Sequence, residues 1–451
     1  MLLMEYQIFI FRRDLRIEDN TTLNRLFSHK EPVIPIFIFD PQQIDPKKNQ
    51  YFSSNCVQFM CESLEDLEKN ISKQKGYLNY FHGDPIHVLE KIIRKNKIVR
   101  IGVNRDYTPF SKSRDEKIST LCLENKIEFV SEEDICILPV GSIRTGSGTI
   151  YKKFTPFYHK CLLQPVPNPS TKKSNFSSYK IGEKLDIHKY YIPNSQILHH
   201  GGRHLGLEQL EKLPKDYPKT HDIPSIPTTQ LSAYNKFGCI SIRELMKKLS
   251  ETKNVAIARQ LYFRDFYYNI VEYYPEILSK GLPFEKKWQK IRWDKPSPKY
   301  LTPFENGKTG FPIIDAGIRQ MITTGFMHNR VRMLVASFLS KDLLYDWRIG
   351  EKFFAKNLYD YDPIQNNSGW QTVAGTGASA LEWFRVMNPW TQTEKFDPEC
   401  KYIKTWIPEF QNTPPEKILN WNTDWDEKIY PKPIVNHEER RDIMLKRYRE
   451  L

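Results

Sequence analysis

At 451 residues the chain exceeds the roughly 100–150 of a typical single domain, so two or more compact units with a large core are expected. Its 39% hydrophobic and 27% charged residues suit a soluble, intracellular globular protein; no apolar run approaches the ~18 residues of a membrane span, and seven scattered cysteines without a CxxC pair speak against structural zinc, an iron–sulfur cluster or a disulfide framework. A net charge of +13 favours a polyanionic partner, nucleic acid ahead of an anionic membrane surface, with a lysine-biased solvated surface as the even alternative.

The first 140 residues alternate short β-rich runs, Tyr6–Phe11, Val33–Phe39, Leu78–Phe81, Val99–Val103 and Ile127–Val130, with amphipathic stretches such as Cys56–Asn70. Strands separated by helices predict parallel βαβ units in a doubly wound sheet. Tyr6–Phe11 is short and is followed at once by Arg12 and Arg13, which suits a first buried strand rather than a signal peptide. No GxGxxG follows it, so an ordinary dinucleotide site is unsupported, although loops at strand carboxyl ends, such as Asn104–Asp106, form the generic ligand crevice of such sheets. From Gln164 to about Ser225 the composition shifts to Pro, Ser, Lys and His, as in an interdomain connection. Beyond it, apolar residues at three- and four-residue steps predict helices over Ser241–Leu249, Val255–Tyr274, Asp315–Thr323, Asn329–Leu344 and Glu351–Leu358. The expected fold class is α/β: a doubly wound parallel-sheet domain over 1–140, a connection over 141–224 and an all-α domain over 225–451.

Within the helical half, Asn329, Arg330 and Arg332, then Asp360 and Asp362, then Asn366 and Asn367 before Trp370 fall where a core would not want them. A buried carboxylate needs a partner, and Arg332 with Asp360 is the first pairing to expect. Asn329 and Met333 share one helical face, as do Gln260 and Arg264, so each pair can present one polar group to a common cavity. Taken singly, each residue is most simply part of a capped helix junction.

Taken together, the runs FRRDLRIEDN at the start, FTPF at 154–157, TTQLSAY at 228–234, QLYFRDFY at 260–267, GKTGFPIIDAGIRQ at 307–320, MHNRVRM at 327–333, KDLLYDWRIGEKFF at 341–354, DYDPIQNNSGW at 360–370 and NPWTQTEKFDPE at 388–399 resemble the photolyase/cryptochrome superfamily, in family order and spacing. The likeness is greatest to the cyclobutane pyrimidine dimer photolyases. It implies an N-terminal photolyase module, a helical domain holding FAD, and blue-light repair of pyrimidine dimers in DNA by a monomer.

By that resemblance Tyr217, Thr228, Thr229, Gln230, Leu231 and Ser232 match the segment that grips the FAD diphosphate. Arg264 falls in the flavin-side helix, and Asp360 and Asp362, with Arg332 beside them, match the acidic pair near the flavin. Asn366 matches the residue facing flavin N5, where a neutral amide favours the reduced anionic flavin of repair over photoreceptor signalling. Trp370, Trp347 and Trp293 follow the electron relay, the last standing one residue off the family position. Asn329, Arg330, Met333 and Gln392 match lesion and backbone contacts, Arg330 being the phosphate partner. The Asn329 and Met333 positions carry the catalytic histidines in the (6-4) branch, and their absence argues for cyclobutane dimers.

Four positions depart from the family pattern: Gln260 stands for a dimer-binding Glu, Phe263 and Thr372 for two tryptophans walling the dimer, and His221 for a basic phosphate contact. Base–aromatic stacking is worth ~1–3 kcal/mol per base, so a weaker grip and a preference for single-stranded or melted DNA are expected, as in an outlying short-second-linker or DASH-like branch. The resemblance is compatible with an antenna of folate or deazaflavin type, but no run identifies one, and Ser111 replaces a folate-binding Glu. The competing functions are a photoreceptor that signals through a partner and a nucleic-acid-binding protein without photochemistry.

Overall fold

The computed structural model describes residues 4–378 and 385–451, so residues 379–384, inside one of the most family-like stretches, lie outside the described residues. The chain forms two compact units that do not follow it in order: residues 1–193, 199–213 and 229–275 form the first, and residues 194–198, 214–228 and 276–451 the second.

The first unit is built on five parallel strands, β1 (Glu5–Phe11), β2 (Val33–Phe39), β3 (Asn79–His82), β4 (Lys97–Asn104) and β5 (Glu128–Glu132), in the order β3-β2-β1-β4-β5. The expected doubly wound sheet is present, with every strand within a few residues of its sequence-read position. β2 is buried along its whole length, which is why it reads as an unbroken apolar run rather than an alternating one. Ile8, Ile34 and Ile101 sit side by side across the three central strands and meet Leu89 and Ile92 of the helix Pro85–Lys95 in one core.

Strand order reverses between β1 and β4, the point at which such sheets open a crevice. Here the crevice is lined by Arg12, Arg13, Asp14, Asn104, Arg105, Asp106 and Ile135 and holds about 10 Å³ of free space. Its own charges fill it. Arg12 pairs with Asp115 and the Asn104 carbonyl, Asn104 donates to Asp14 at 2.6 Å, and Ser111 donates to Asp106 at 3.0 Å.

The stretch 141–224 contains the helices Phe154–Cys161 and Arg203–Glu211, and the chain returns to the sheet, where Val33 and Ser177 exchange backbone bonds with Asn175 and Val33 at 3.0 and 2.8 Å. The helices Ile242–Glu251 and Val255–Tyr273 also belong to the first unit. A buried network joins the former to the loops after β1 and β5: Arg243 donates to Asp19 at 2.7 Å and to Asp134 at 2.8 Å, and Arg16 grips both oxygens of Asp134 at 2.8 and 2.7 Å. All four charged groups are at most 9% exposed, so each needs its partners.

The second unit is helical, with a core that includes Phe304, Ile314, Met321, Val331, Leu339, Trp347, Trp370, Ile403 and Trp421. One expected element differs. The helix predicted over Asn329–Leu344 is α-helical only to Ser337, and Phe338–Asp342 widens into a π turn in which the Leu343 amide reaches the Phe338 carbonyl at 2.9 Å. The turn carries Lys341 and Asp342 inward, Lys341 onto the Arg385 carbonyl and Asp342 onto His437; periodicity registers apolar spacing and cannot register one inserted residue. Among the described residues no helix is long and apolar enough to cross a membrane.

Candidate functional site

In the second unit, the residues singled out between 329 and 372 lie on or beside three helices, Asn329–Ser337, Trp347–Asn357 and Pro363–Ala374, the last of which packs on each of the other two. Arg332 donates from Nη2 to Asp360 Oδ2 at 2.9 Å and from Nε to the Met327 carbonyl at 2.7 Å, while its guanidinium lies over the Phe326 ring. The expected ion pair is therefore present. Asp362 is the N-cap of the helix Pro363–Ala374, its Oδ1 accepting from the Ile364 and Gln365 amides at 2.9 and 3.1 Å, as the plain structural reading of an Asp–Pro junction anticipates. One turn on, Asn366 donates from Nδ2 to the Glu351 carbonyl at 2.9 Å and remains half-buried.

Trp370 is buried, with its ring edge-on to Phe354 at 4.8 Å and its indole N–H without a partner among the described residues. It presses on Gly350, where a Cβ would sit 2.0 Å from the indole. Only glycine lets the ring lie this close to the helix that begins at Trp347. Trp347 and Trp370 share the core, and Trp293 packs at its edge.

Two groups at this place were not anticipated, Gly350 and Glu351. Glu351 is 6% exposed, accepts from Asn367 at 3.3 Å, and has its carboxyl pushed up to about 7 by burial, against that hydrogen bond. Asn367 in turn accepts from Gln371 at 2.9 Å, and Gln371 holds the Leu282 carbonyl and the Phe284 amide at 3.1 and 3.0 Å. A Glu on a helix with ordinary amphipathic spacing gives no signal of burial.

Of the residues expected to meet the lesion, Asn329 is exposed and Met333 half-buried on the same helix. One edge of the Arg330 guanidinium donates to Asp222, Nε to Oδ1 at 3.1 Å and Nη2 to Oδ2, and the group lies over Phe396. His221 Nδ1 stands 3.1 Å from Asp222 Oδ1, and its ring leans on Tyr217. The Thr372 hydroxyl donates to the Ser368 carbonyl at 2.8 Å, and the side-chain oxygen of Gln392, in the helix Pro389–Phe396, is buried without a partner among the described residues. Thr228 ends the short 214–228 piece of this unit.

The remaining residues belong to the first unit. The Thr229 carbonyl accepts from Gln209 at 3.0 Å. Gln230 takes a left-handed φ of 51° and meets His199 at 3.0 Å, Leu231 is buried, and Ser232 is exposed at the start of a short helix. On the helix Val255–Tyr273, Gln260 is exposed, Phe263 packs on Phe154 and Tyr267 at 4.4 and 5.1 Å, and Arg264 pairs with Asp265 and the Ile135 carbonyl.

Proteins of the photolyase/cryptochrome family match this chain along nearly its whole length. Residues 7–171 match the family model described as DNA photolyase, and residues 257–450 match that of the FAD binding domain of DNA photolyase. The chain is 32% identical over 466 residues to the deoxyribodipyrimidine photo-lyase of Escherichia coli strain K12, covering 97% of each. Among solved structures, the archaeal photolyase from Sulfolobus tokodaii, described with two FAD molecules, is 39% identical with a TM-score of 0.90, over 99% of this chain and 100% of that one. A Synechocystis cryptochrome, 22% identical with a TM-score of 0.90 over 99% of both chains, shares the fold. With relatives above 30% identity along nearly the whole of both chains, this chain belongs to the DNA photolyase family of the photolyase/cryptochrome superfamily.

Proposed function

We propose that this chain repairs cyclobutane pyrimidine dimers in DNA by light, with FAD as its redox cofactor, and that its DNA partner is bound as a monomer. The observation that carries the reading is the placement of Arg332, Asp360, Asp362, Asn366 and Trp370 about one short helix of the second unit. Deoxyribodipyrimidine photo-lyases among the curated relatives support the substrate class.

The donor set suits a flavin. Arg332 and Asp360 offer one cation and one carboxylate at a half-buried place, and Asn366 offers a neutral amide rather than a second acid. In the second unit, Tyr217, Thr228, Arg332, Asp360, Asp362 and Asn366 are the residues we assign to the cofactor. FAD, when bound and reduced, supplies the light-excited electron that opens the cyclobutane ring. Arg332 holds the Asp360 carboxylate in place, the Asp362 cap fixes where Asn366 begins its turn, and the packed indoles of Trp370 and Trp347, with Trp293 beyond, provide the electron route that restores the reduced cofactor. Asn329, Arg330, Met333, Thr372, Gln392 and His221 make up the lesion and phosphate contacts. The roles of Thr229, Gln230, Leu231, Ser232 and Arg264 toward FAD, and of Gln260 and Phe263 toward the dimer, belong to the same proposal.

The two FAD molecules of the Sulfolobus tokodaii photolyase support a second, light-gathering chromophore in this chain as well. The crevice between β1 and β4 does not fit one as it stands, because Asn104 already holds Arg12 and Asp14, Ser111 holds Asp106, and only about 10 Å³ is free there.

Illumination of the reduced protein with a thymine-dimer oligonucleotide, followed by chromatography, tests the proposal. Light-dependent recovery of thymines is the expected result; none on either single or double strands points instead to a photoreceptor.

A further inference from the structure

We infer that Asp222 is a built-in competitor for DNA phosphate at Arg330, holding down the sequence-independent affinity of a strongly basic chain. The inference rests on the assignment of Arg330 as a phosphate contact. A guanidinium grips phosphate with two parallel N–H donors along one of its edges, and in Arg330 the Nε/Nη2 edge is taken by the Asp222 carboxylate. Phe396 stacks on the guanidinium at 4.5 Å and restrains its plane, so an incoming phosphate would have to bind beside this carboxylate. The two side chains are nevertheless 16% and 27% exposed, within reach of solvent and of a ligand. A phosphate approaching Arg330 therefore meets a carboxylate within a few ångströms, where like charges repel.

The net charge of +13 gives the context. Counterion release attracts such a chain to any DNA, damaged or not, and a repair enzyme must leave undamaged sequence to search further. One fixed carboxylate at a phosphate contact weakens every DNA complex without removing the arginine. His221 stands 3.1 Å from the same Oδ1 that Arg330 Nε meets, and Tyr217 rests against its ring, so Asp222 is placed by both Arg330 and His221.

Fluorescence anisotropy in the dark, with a short undamaged duplex at several salt concentrations, tests this on the full chain. Asp222→Asn keeps the shape and removes the charge; its Kd should fall by roughly fivefold, and its log K against log salt slope should steepen by about 0.9, the value of one further neutralised phosphate. Unchanged or weaker binding with the parental slope overturns the inference and makes Asp222 a mere positioner of Arg330. Arg330→Gln separates the two layers. If it leaves the Kd unchanged, the phosphate assignment itself fails; if it weakens binding while Asp222→Asn does not strengthen it, only the role of Asp222 fails. The double variant Asp222→Asn/Arg330→Gln, which leaves no unpaired charge, should bind more tightly than Arg330→Gln alone, and equal binding overturns the inference even where Asp222→Asn does not fold.

Discussion

Arg332 and Asp360, 28 residues apart in the chain, meet at 2.9 Å, and the carboxylate is 2% exposed where the guanidinium is 24% exposed. The asymmetry sets what each loss does. Removing Asp360 leaves an arginine that water can still reach, whereas removing Arg332 leaves a buried carboxylate.

Asp360→Ala should therefore lower unfolding stability by about 1–3 kcal/mol, and Arg332→Met by more, near the ~3–5 kcal/mol of a broken buried pair. Denaturant melts of flavin-free protein give these numbers. The absorbance of the purified variants should show flavin content falling in both; full retention in Asp360→Ala removes Asp360 from the cofactor site.

Gly350→Ala puts a methyl group into the Trp370 ring, with 2.0 Å available before anything moves. Overpacking of this kind costs about 1–3 kcal/mol, readable as a lower Tm. Light-driven reduction of oxidised flavin should slow as Trp370 shifts, and Trp370→Phe should abolish it while flavin content is kept. A Gly350→Ala protein with parental Tm means that the ring and the helix yield without cost.

Glu351 makes stability depend on pH. Its folded-state pKa is raised from 4.5 to about 7 by burial, so the folded protein holds the proton more tightly than the unfolded chain. The contribution is fully present below pH ~4.5 and is lost as pH rises to ~7, for a total on the order of 3 kcal/mol. Glu351→Gln keeps an acceptor for Asn367 and removes the titration, so its stability relative to the parent should rise across that window and be level above it. A flat difference between pH 4.5 and 7 places the proton elsewhere.

Much of this was legible in the sequence, and for a definable reason. β2 is apolar because both its faces are buried, and the Asp362–Pro363 step is a helix start wherever it occurs. Arg332 with Asp360 followed from the rule that a buried carboxylate needs a cation. Gly350, Glu351 and Asp222 were illegible for the opposite reason: each has an ordinary residue type at ordinary spacing and acquires its meaning from a neighbour far along the chain, Trp370, Asn367 or Arg330. The π turn at Phe338–Asp342 escaped because a single inserted residue leaves the apolar count unchanged.

The proposed repair function carries an expectation about strand preference at two positions, Phe263 in the first unit and Thr372 in the second. Phe263 packs on Phe154 and Tyr267, and Thr372 has no ring and turns its hydroxyl to its own helix, so both positions offer a base less stacking surface than a tryptophan would. Repair of a thymine dimer should be faster on a single-stranded oligonucleotide than on the matching duplex. Equal initial rates under saturating light remove the preference, and Phe263→Trp should then leave the ratio unaltered.

The buried quartet of Arg16, Asp19, Asp134 and Arg243 bears on any attempt to study the halves of this chain apart. A cut near residue 225, where the composition invites one, parts Arg243 from both of its carboxylates. The amino-terminal piece would keep Asp19 and Asp134 with one arginine between them, and the carboxyl-terminal piece would carry a bare guanidinium where a fitted one belongs. Mixed together, the two pieces have a charge-matched seam by which to find each other, so co-expressed fragments should assemble where neither survives alone.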